Sequence, residues 1–132
     1  MRGPPCDIYY LTVSSPPLVI RDLTERALRG ELDFHPYFPG VDIHRIYGDE
    51  TSGPSAILLR YQPGGRAPQH THPGHEHILV LSGEQSDERG SYPAGTLVIN
   101  PPGSQHDVHS ARGCLVLVIK EQPVVFTGPA AG

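Results

Sequence analysis

His70-Thr71-His72-Pro73-Gly74-His75-Glu76-His77-Ile78-Leu79-Val80-Leu81-Ser82-Gly83 is the stretch on which the reading of this chain turns. In extended backbone, residues two apart face the same side, so His70 and His72 present both imidazoles to one face. Pro73-Gly74 supplies a turn. Glu76 then opens the apolar run Ile78-Leu79-Val80-Leu81. A carboxylate leading so apolar a strand is costly in a dry interior unless it is paired, and a bound cation relieves that cost.

A second segment, Gly95-Thr96-Leu97-Val98-Ile99-Asn100-Pro101-Pro102-Gly103-Ser104-Gln105-His106, adds a third imidazole behind the tight Pro101-Pro102-Gly103 turn. His70, His72, Glu76 and His106 are therefore the candidate ligands of one divalent transition metal. Neutral imidazole and ionised carboxylate suit Fe2+ or Zn2+, and Mn2+ or Ni2+ as well. One carboxylate against a divalent ion leaves the site positive, which favours an anionic small-molecule ligand or substrate. A six-coordinate ion keeps open positions beside four protein ligands, whereas tetrahedral zinc keeps none. Metal identity thus separates a catalyst from a scaffold.

Around these segments the chain alternates short β-branched runs with turns. Candidate strands lie at 41–47, 55–62, 75–82, 96–100 and 114–121, with weaker ones at 18–20, 32–35, 90–92, 106–109 and 123–126. Pro63-Gly64-Gly65, Ser82-Gly83, Pro93-Ala94-Gly95 and Arg112-Gly113 read as punctuation between them. Turns at that spacing predict an all-β sandwich or barrel. Asp22 to Leu28 has the pattern of a two-turn helix, with Asp22 as its cap and Gly30 at its end. The organisation expected is an irregular N-terminal segment over 1–30 packing on the barrel, a barrel over 31–127 and a flexible tail over 128–132.

With 132 residues the chain is the size of one domain. A net charge of −4 and a single lysine, Lys120, argue against nucleic acid. No apolar run reaches the ~18 residues of a membrane span, and the N-terminal residues lack the apolar core of a signal peptide. A cytoplasmic location is the expectation. The two cysteines, Cys6 and Cys114, read as free thiols there, with a Cys6–Cys114 disulfide as the alternative.

The spacing of the two segments resembles the two motifs of the cupin superfamily. Gly64, His70, His72, Glu76 and Gly83 match every position of the first; Gly95, Pro101, Gly103 and His106 match the second, with Ser110 standing where that motif ends in Asn. Over roughly residues 32–120 the chain is more closely similar to the ChrR-like cupins. Val80-Leu81-Ser82-Gly83, Ser86 to Gly95, Asn100 to His106 and Leu59-Arg60-Tyr61-Gln62-Pro63-Gly64 carry that likeness.

The resemblance implies a single-domain cupin, a double-stranded β-helix or jelly-roll barrel with one internal metal, often a homodimer. It implies two functions. One is that of a metal-dependent dioxygenase cleaving a small enolisable or diketone-like compound, as in stand-alone enzymes resembling acetylacetone dioxygenase. The other is that of the cupin half of zinc anti-sigma factors, which would sense a small ligand or oxidant and act on a protein partner. A metal-dependent isomerase or cyclase fits the same open site. The anti-sigma members bind sigma through an N-terminal Cys/His zinc domain. The first 30 residues here hold one cysteine, Cys6, and no histidine, so the expected likeness is to the cupin half.

Other polar residues take plainer readings. His75 and His77 flank Glu76 and should point to the opposite face. His109 is expected at the surface, and His35 and His44 as structural histidines. Arg60 and Tyr61 are the candidate pocket residues. Alternation sends one of the two inward, and the sequence leaves open which. Asp87-Glu88-Arg89 reads as a hairpin tip, and Tyr92 as packing against the barrel or lining its mouth.

Overall fold

The computed structural model describes residues 15–128. Expectations that concern residues 1–14 and 129–132, among them the state of Cys6 and its pairing with Cys114, lie outside the described residues. Within them the chain is almost entirely strand. One helix, α1 (Leu23–Leu28), precedes β1 (His35–Phe38), β2 (Val41–Tyr47), β3 (Ser55–Tyr61), β4 (Gly65–Thr71), β5 (Glu76–Asp87), β6 (Gly90–Pro93), β7 (Leu97–Asn100), β8 (Gln105–Ser110), β9 (Cys114–Lys120) and β10 (Val125–Phe126). All pairings are antiparallel. No helix among the described residues is long and apolar enough to cross a membrane.

The strand order is β1-β2-β3-β9-β5-β8-β4-β10, with β6 and β7 also on β5. The twelve-residue β5 belongs to both halves of the barrel. Its first part pairs with β9 and β7, its last part with β6 and β8. The register slips between Val80 and Ser82, where Gly83 adopts φ 76. That conformation suits glycine, and a Cβ there would collide with the backbone oxygen of Gly113. Ser82-Gly83, expected to end a strand, is instead the bend that carries one strand from the first half to the second.

Alternation places one face of each strand in the barrel. Ile57, Val118 and Ile78 are successive cross-strand partners, and Leu59, Val116 and Val80 form the next row. Val41, Ile43, Tyr61, Val108 and Cys114 complete this core. At one end the apolar rows give way to a polar one: Ser55, Lys120 and Glu76 lie side by side across β3, β9 and β5.

A second cluster lies outside the barrel. Ala27 of α1 packs with Leu58 and Leu115, flanked by Leu23, Leu32, Phe34, Ile46, Leu81 and Leu117. Burying Leu58 and Leu115 is worth roughly 1.5–3 kcal/mol each. The helix ends as its sequence suggests: Gly30 at φ 72 donates to Ala27 O, and Glu31 N–H reaches Arg26 O, the Schellman arrangement. Its start differs, because Asp22 stands at φ 52 and makes no side-chain capping hydrogen bond.

Three strand expectations are corrected. Residues 18–20 form no strand. The 32–35 candidate shifts to His35–Phe38, because Leu32 and Phe34 belong to the outer cluster. Gly65–Thr71, expected to begin as turn, is strand β4. Its register slips between Ala67 and His70, and that bulge accommodates Pro68, which has no N–H to give to a ladder.

Candidate metal centre

Three strands and the turn after β4 deliver the four side chains. His70 lies on β4, and His72 follows two residues later just beyond its end. Glu76 opens β5, and His106 sits near the start of β8, directly across from His70. All four are buried. One potential ligand atom from each lies within 4.8 Å of the others. The nearest approaches are 3.0 Å between His70 Nε2 and His106 Nε2, 2.9 Å between His72 Nε2 and Glu76 Oε1, and 3.7 Å between His106 Nε2 and Glu76 Oε1.

Hydrogen bonds at the outer nitrogens fix the proton positions. His70 Nδ1 meets the carbonyl of Pro68 at 2.8 Å. His106 Nδ1 meets Asp87 Oδ2 at 3.2 Å. His72 Nδ1 meets Ser104 Oγ at 3.0 Å, and Ser104 gives its own proton to Pro101 O at 2.6 Å. A carbonyl and a carboxylate only accept, and a hydroxyl already donating must accept here too. Each imidazole therefore carries its proton on Nδ1. Each Nε2 turns a lone pair inward, and His72 Nε2 is buried without a hydrogen-bond partner.

Three lone pairs and a carboxylate oxygen thus face one another with no proton between them. That donor set fits a cation and little else. Burial holds the His70 imidazole down at about 4, so it stays neutral and able to ligate. Asn100 Nδ2 donates to Glu76 Oε1 at 3.2 Å and steadies it.

Sequence reasoning missed these supporting residues. Asp87, expected at a hairpin tip, is buried beneath it. It accepts from Arg89 N–H and from Tyr92 Oη, each at 2.9 Å on Oδ1, while Oδ2 holds His106. Burial would raise its carboxyl, yet these donors keep it below the usual range. The signal available was its place at the end of an alternating strand, hidden by the glycine at 83. Ser110, where the motif has Asn, donates to Glu84 O at 2.6 Å and is fully buried.

A cavity of about 40 Å³ adjoins the cluster and is lined by His70, Glu76 and His106. Its remaining polar lining is Tyr37, Tyr61, Gln85 and Lys120; the rest is largely apolar. Tyr61 is thus the inward member of its pair, and burial raises its hydroxyl far above the ordinary value. Burial, with Glu50 nearby, pushes the Tyr37 hydroxyl up to about 12. Arg60 does not line this cavity. Its guanidinium lies 4.2 Å above the Phe34 ring and pairs with Asp42 at 2.9 Å, on the outside of β3.

The other histidines stand apart from the cluster. His75 is exposed beside Glu121 at 3.1 Å, and His77 is half-buried on the outer face. His109 is half-buried rather than exposed. His35 pairs with Asp33 at 3.1 Å, and His44 Nδ1 meets Asp33 O at 2.9 Å. Cys114 is buried, and burial pushes its thiol up to about 11.

The model of the ChrR Cupin-like domain matches residues 27–125. The anti-sigma-E factor ChrR of Cereibacter sphaeroides is 35% identical over 79 residues, covering 58% of this chain and 37% of its own. The chain therefore spans well under half the length of that relative. An acetylacetone dioxygenase from Acinetobacter johnsonii superposes with a TM-score of 0.69 at 12% identity, over 91% of this chain and 85% of that one. The structure of Rhodobacter sphaeroides SigE in complex with the anti-sigma ChrR gives 0.62 at 19% identity, over 88% and 75%. At such identities the two solved structures attest the fold alone.

Proposed function

The chain belongs to the ChrR Cupin-like domain family, and on that footing we propose that it is a metal-dependent enzyme of dioxygenase type. Its substrate would be a small enolisable or diketone-like compound, and His70, His72, Glu76 and His106 would hold the ion. The observation that carries this reading is the convergence of three proton-free Nε2 atoms and one carboxylate oxygen beside a cavity. A purely structural ion would need no such space next to it.

Bound there, a divalent ion such as Fe2+ would supply Lewis acidity toward an enolisable carbonyl compound and a meeting point for O2. The chain's own part is positional. Pro68 O, Ser104 and Asp87 fix the imidazoles, and Asn100 fixes the carboxylate. The apolar walls of the cavity exclude bulk water. Tyr61 and Gln85 offer polar groups that can orient a ligand.

Anaerobic reconstitution with Fe2+, followed by O2-uptake measurements with acetylacetone and related small diketones, tests the proposal. Substrate-dependent uptake that His72→Ala abolishes is expected. Tightly held zinc in freshly purified protein, with no uptake after exchange for Fe2+, would overturn it. The 35% identity to an anti-sigma factor favours, in that event, the second reading: a zinc-holding cupin that senses a small ligand and acts through a protein partner. We also propose a homodimer. Ile99 and Ile119, both exposed, flank His77 on the outer face of the sheet, and Leu97 beside them is exposed as well. Light scattering that finds a monomer at micromolar concentration removes that part.

A further inference from the structure

Lys120 is the chain's one lysine, is 4% exposed and lines the cavity that the metal cluster adjoins. A buried ammonium is costly unless a counter-charge meets it. Among the described residues one carboxylate comes within 4.0 Å of Nζ, Glu50 Oε1 at 3.9 Å. That is beyond hydrogen-bond reach, and the other oxygen of Glu50 already accepts from Arg45 at 2.8 Å. Glu76 is the cross-strand neighbour of Lys120, but its Oε1 is turned to His72 and Asn100. On the other side of Lys120, Ser55 Oγ is buried with no hydrogen-bond partner. The polar row at the end of the barrel thus holds a cation with no close counter-ion among the described residues, beside a hydroxyl without a hydrogen-bond partner.

We propose that the cavity binds a small monoanionic carboxylate, its oxygens held by the Lys120 ammonium and its other end toward His70, Glu76 and His106. A cavity of about 40 Å³ takes roughly three water-sized groups, which is room for a carboxylate head and makes acetate the smallest probe of the site. Lys120 is then the residue that selects an anion over a neutral molecule of the same shape. The inference narrows the substrate class of the proposed enzyme to enolisable compounds that carry a carboxylate. It rests on that reading for the ligand's reaction and stands apart from it for the ligand's binding.

A single lysine makes the test direct. Protein grown with lysine labelled with 13C at Cε alone gives one labelled signal, that of Lys120, and acetate is titrated into zinc-loaded and chelator-treated samples, with acetamide as the neutral control. The signal is expected to move saturably with acetate and not with acetamide. Lys120→Met should weaken acetate binding, measured by calorimetry, by about tenfold or more, and Lys120→Arg should restore most of it. No acetate binding to either form overturns the proposal, as does a Lys120 signal that stays fixed while calorimetry shows saturation. So does Lys120→Met binding acetate as tightly as the unaltered protein. Failure of the metal reading shows separately, as zinc that does not bind; the chelator-treated titration still decides the role of Lys120. If Lys120→Met does not fold, the labelled unaltered protein decides it alone.

Discussion

Replacing Asp87 by Asn isolates what the supporting residues contribute. Asp87 is buried, and its two oxygens serve three donors: His106 Nδ1, Tyr92 Oη and the Arg89 N–H. Asn keeps the shape but exchanges one acceptor for an NH2. With its oxygen toward His106, the NH2 faces the tyrosine hydroxyl and the Arg89 amide. With the amide turned round, the NH2 faces His106 Nδ1, and the favoured arrangement then puts the ring proton on Nε2, where it blocks the ion. Either way a charge-assisted hydrogen bond, worth about 1.5–3 kcal/mol, is lost or misdirected. Changes to groups that support metal-bound histidines typically cost 10–100-fold in metal affinity, or about 1.4–2.7 kcal/mol. Zinc affinity should therefore fall by that factor, read by competition with a chromophoric chelator at pH 7.5. Circular dichroism should show an intact β fold. An affinity within about twofold of the unaltered protein would refute the claim that Asp87 sets the proton on His106.

Chelation should lower the melting temperature, because ion binding to the folded state adds stability, about 4 kcal/mol at a thousandfold excess over Kd; His72→Ala should melt alike with and without chelator. The metal-free protein should also weaken in acid. Burial holds His70 near 4 in the fold against 6.5 as its ordinary value, so the unfolded chain takes up a proton that the folded one refuses. Stability present above pH 6.5 is lost as pH falls toward 4, by about 3 kcal/mol from this group. Urea titrations of chelated protein should show that slope shrinking in His70→Gln, and an unchanged slope would remove the assignment. Gly83→Ala should destabilise by more than about 1 kcal/mol, since the bend needs φ 76 and leaves no room for a Cβ; a neutral urea midpoint would contradict this.

Much of the site was legible because its spacing is rigid. The pair at 70 and 72 and the Pro-x-Gly turn before His106 define their directions locally. What escaped depends on contacts distant in sequence. Tyr61 and Arg60 could not be told apart, since β3 is buried on both faces: α1 and its neighbours cover the outer one, so no polar alternation marks it. Strand β4 was obscured by Pro63-Gly64-Gly65 and by Pro68, yet the bulge at Pro68 supplies the carbonyl that orients His70. Asp87 looked like turn chemistry because Gly83 resembled the end of a strand. Lys120 entered the sequence reading only as the chain's one lysine, and the register with Glu76 and Ser55 shows it turned inward.

The bent strand β5 has one more implication. Glu76 stands at its beginning, in the half of the barrel built with β9 and β7, and Asp87 at its end, in the half built with β6 and β8. Both reach the same imidazole, from opposite nitrogens. An ion seated on His106 would rivet the two halves together through a single belt of chain. Amide exchange along β5 should then slow at both ends at once upon metal loading, reporting occupancy far from any ligand atom.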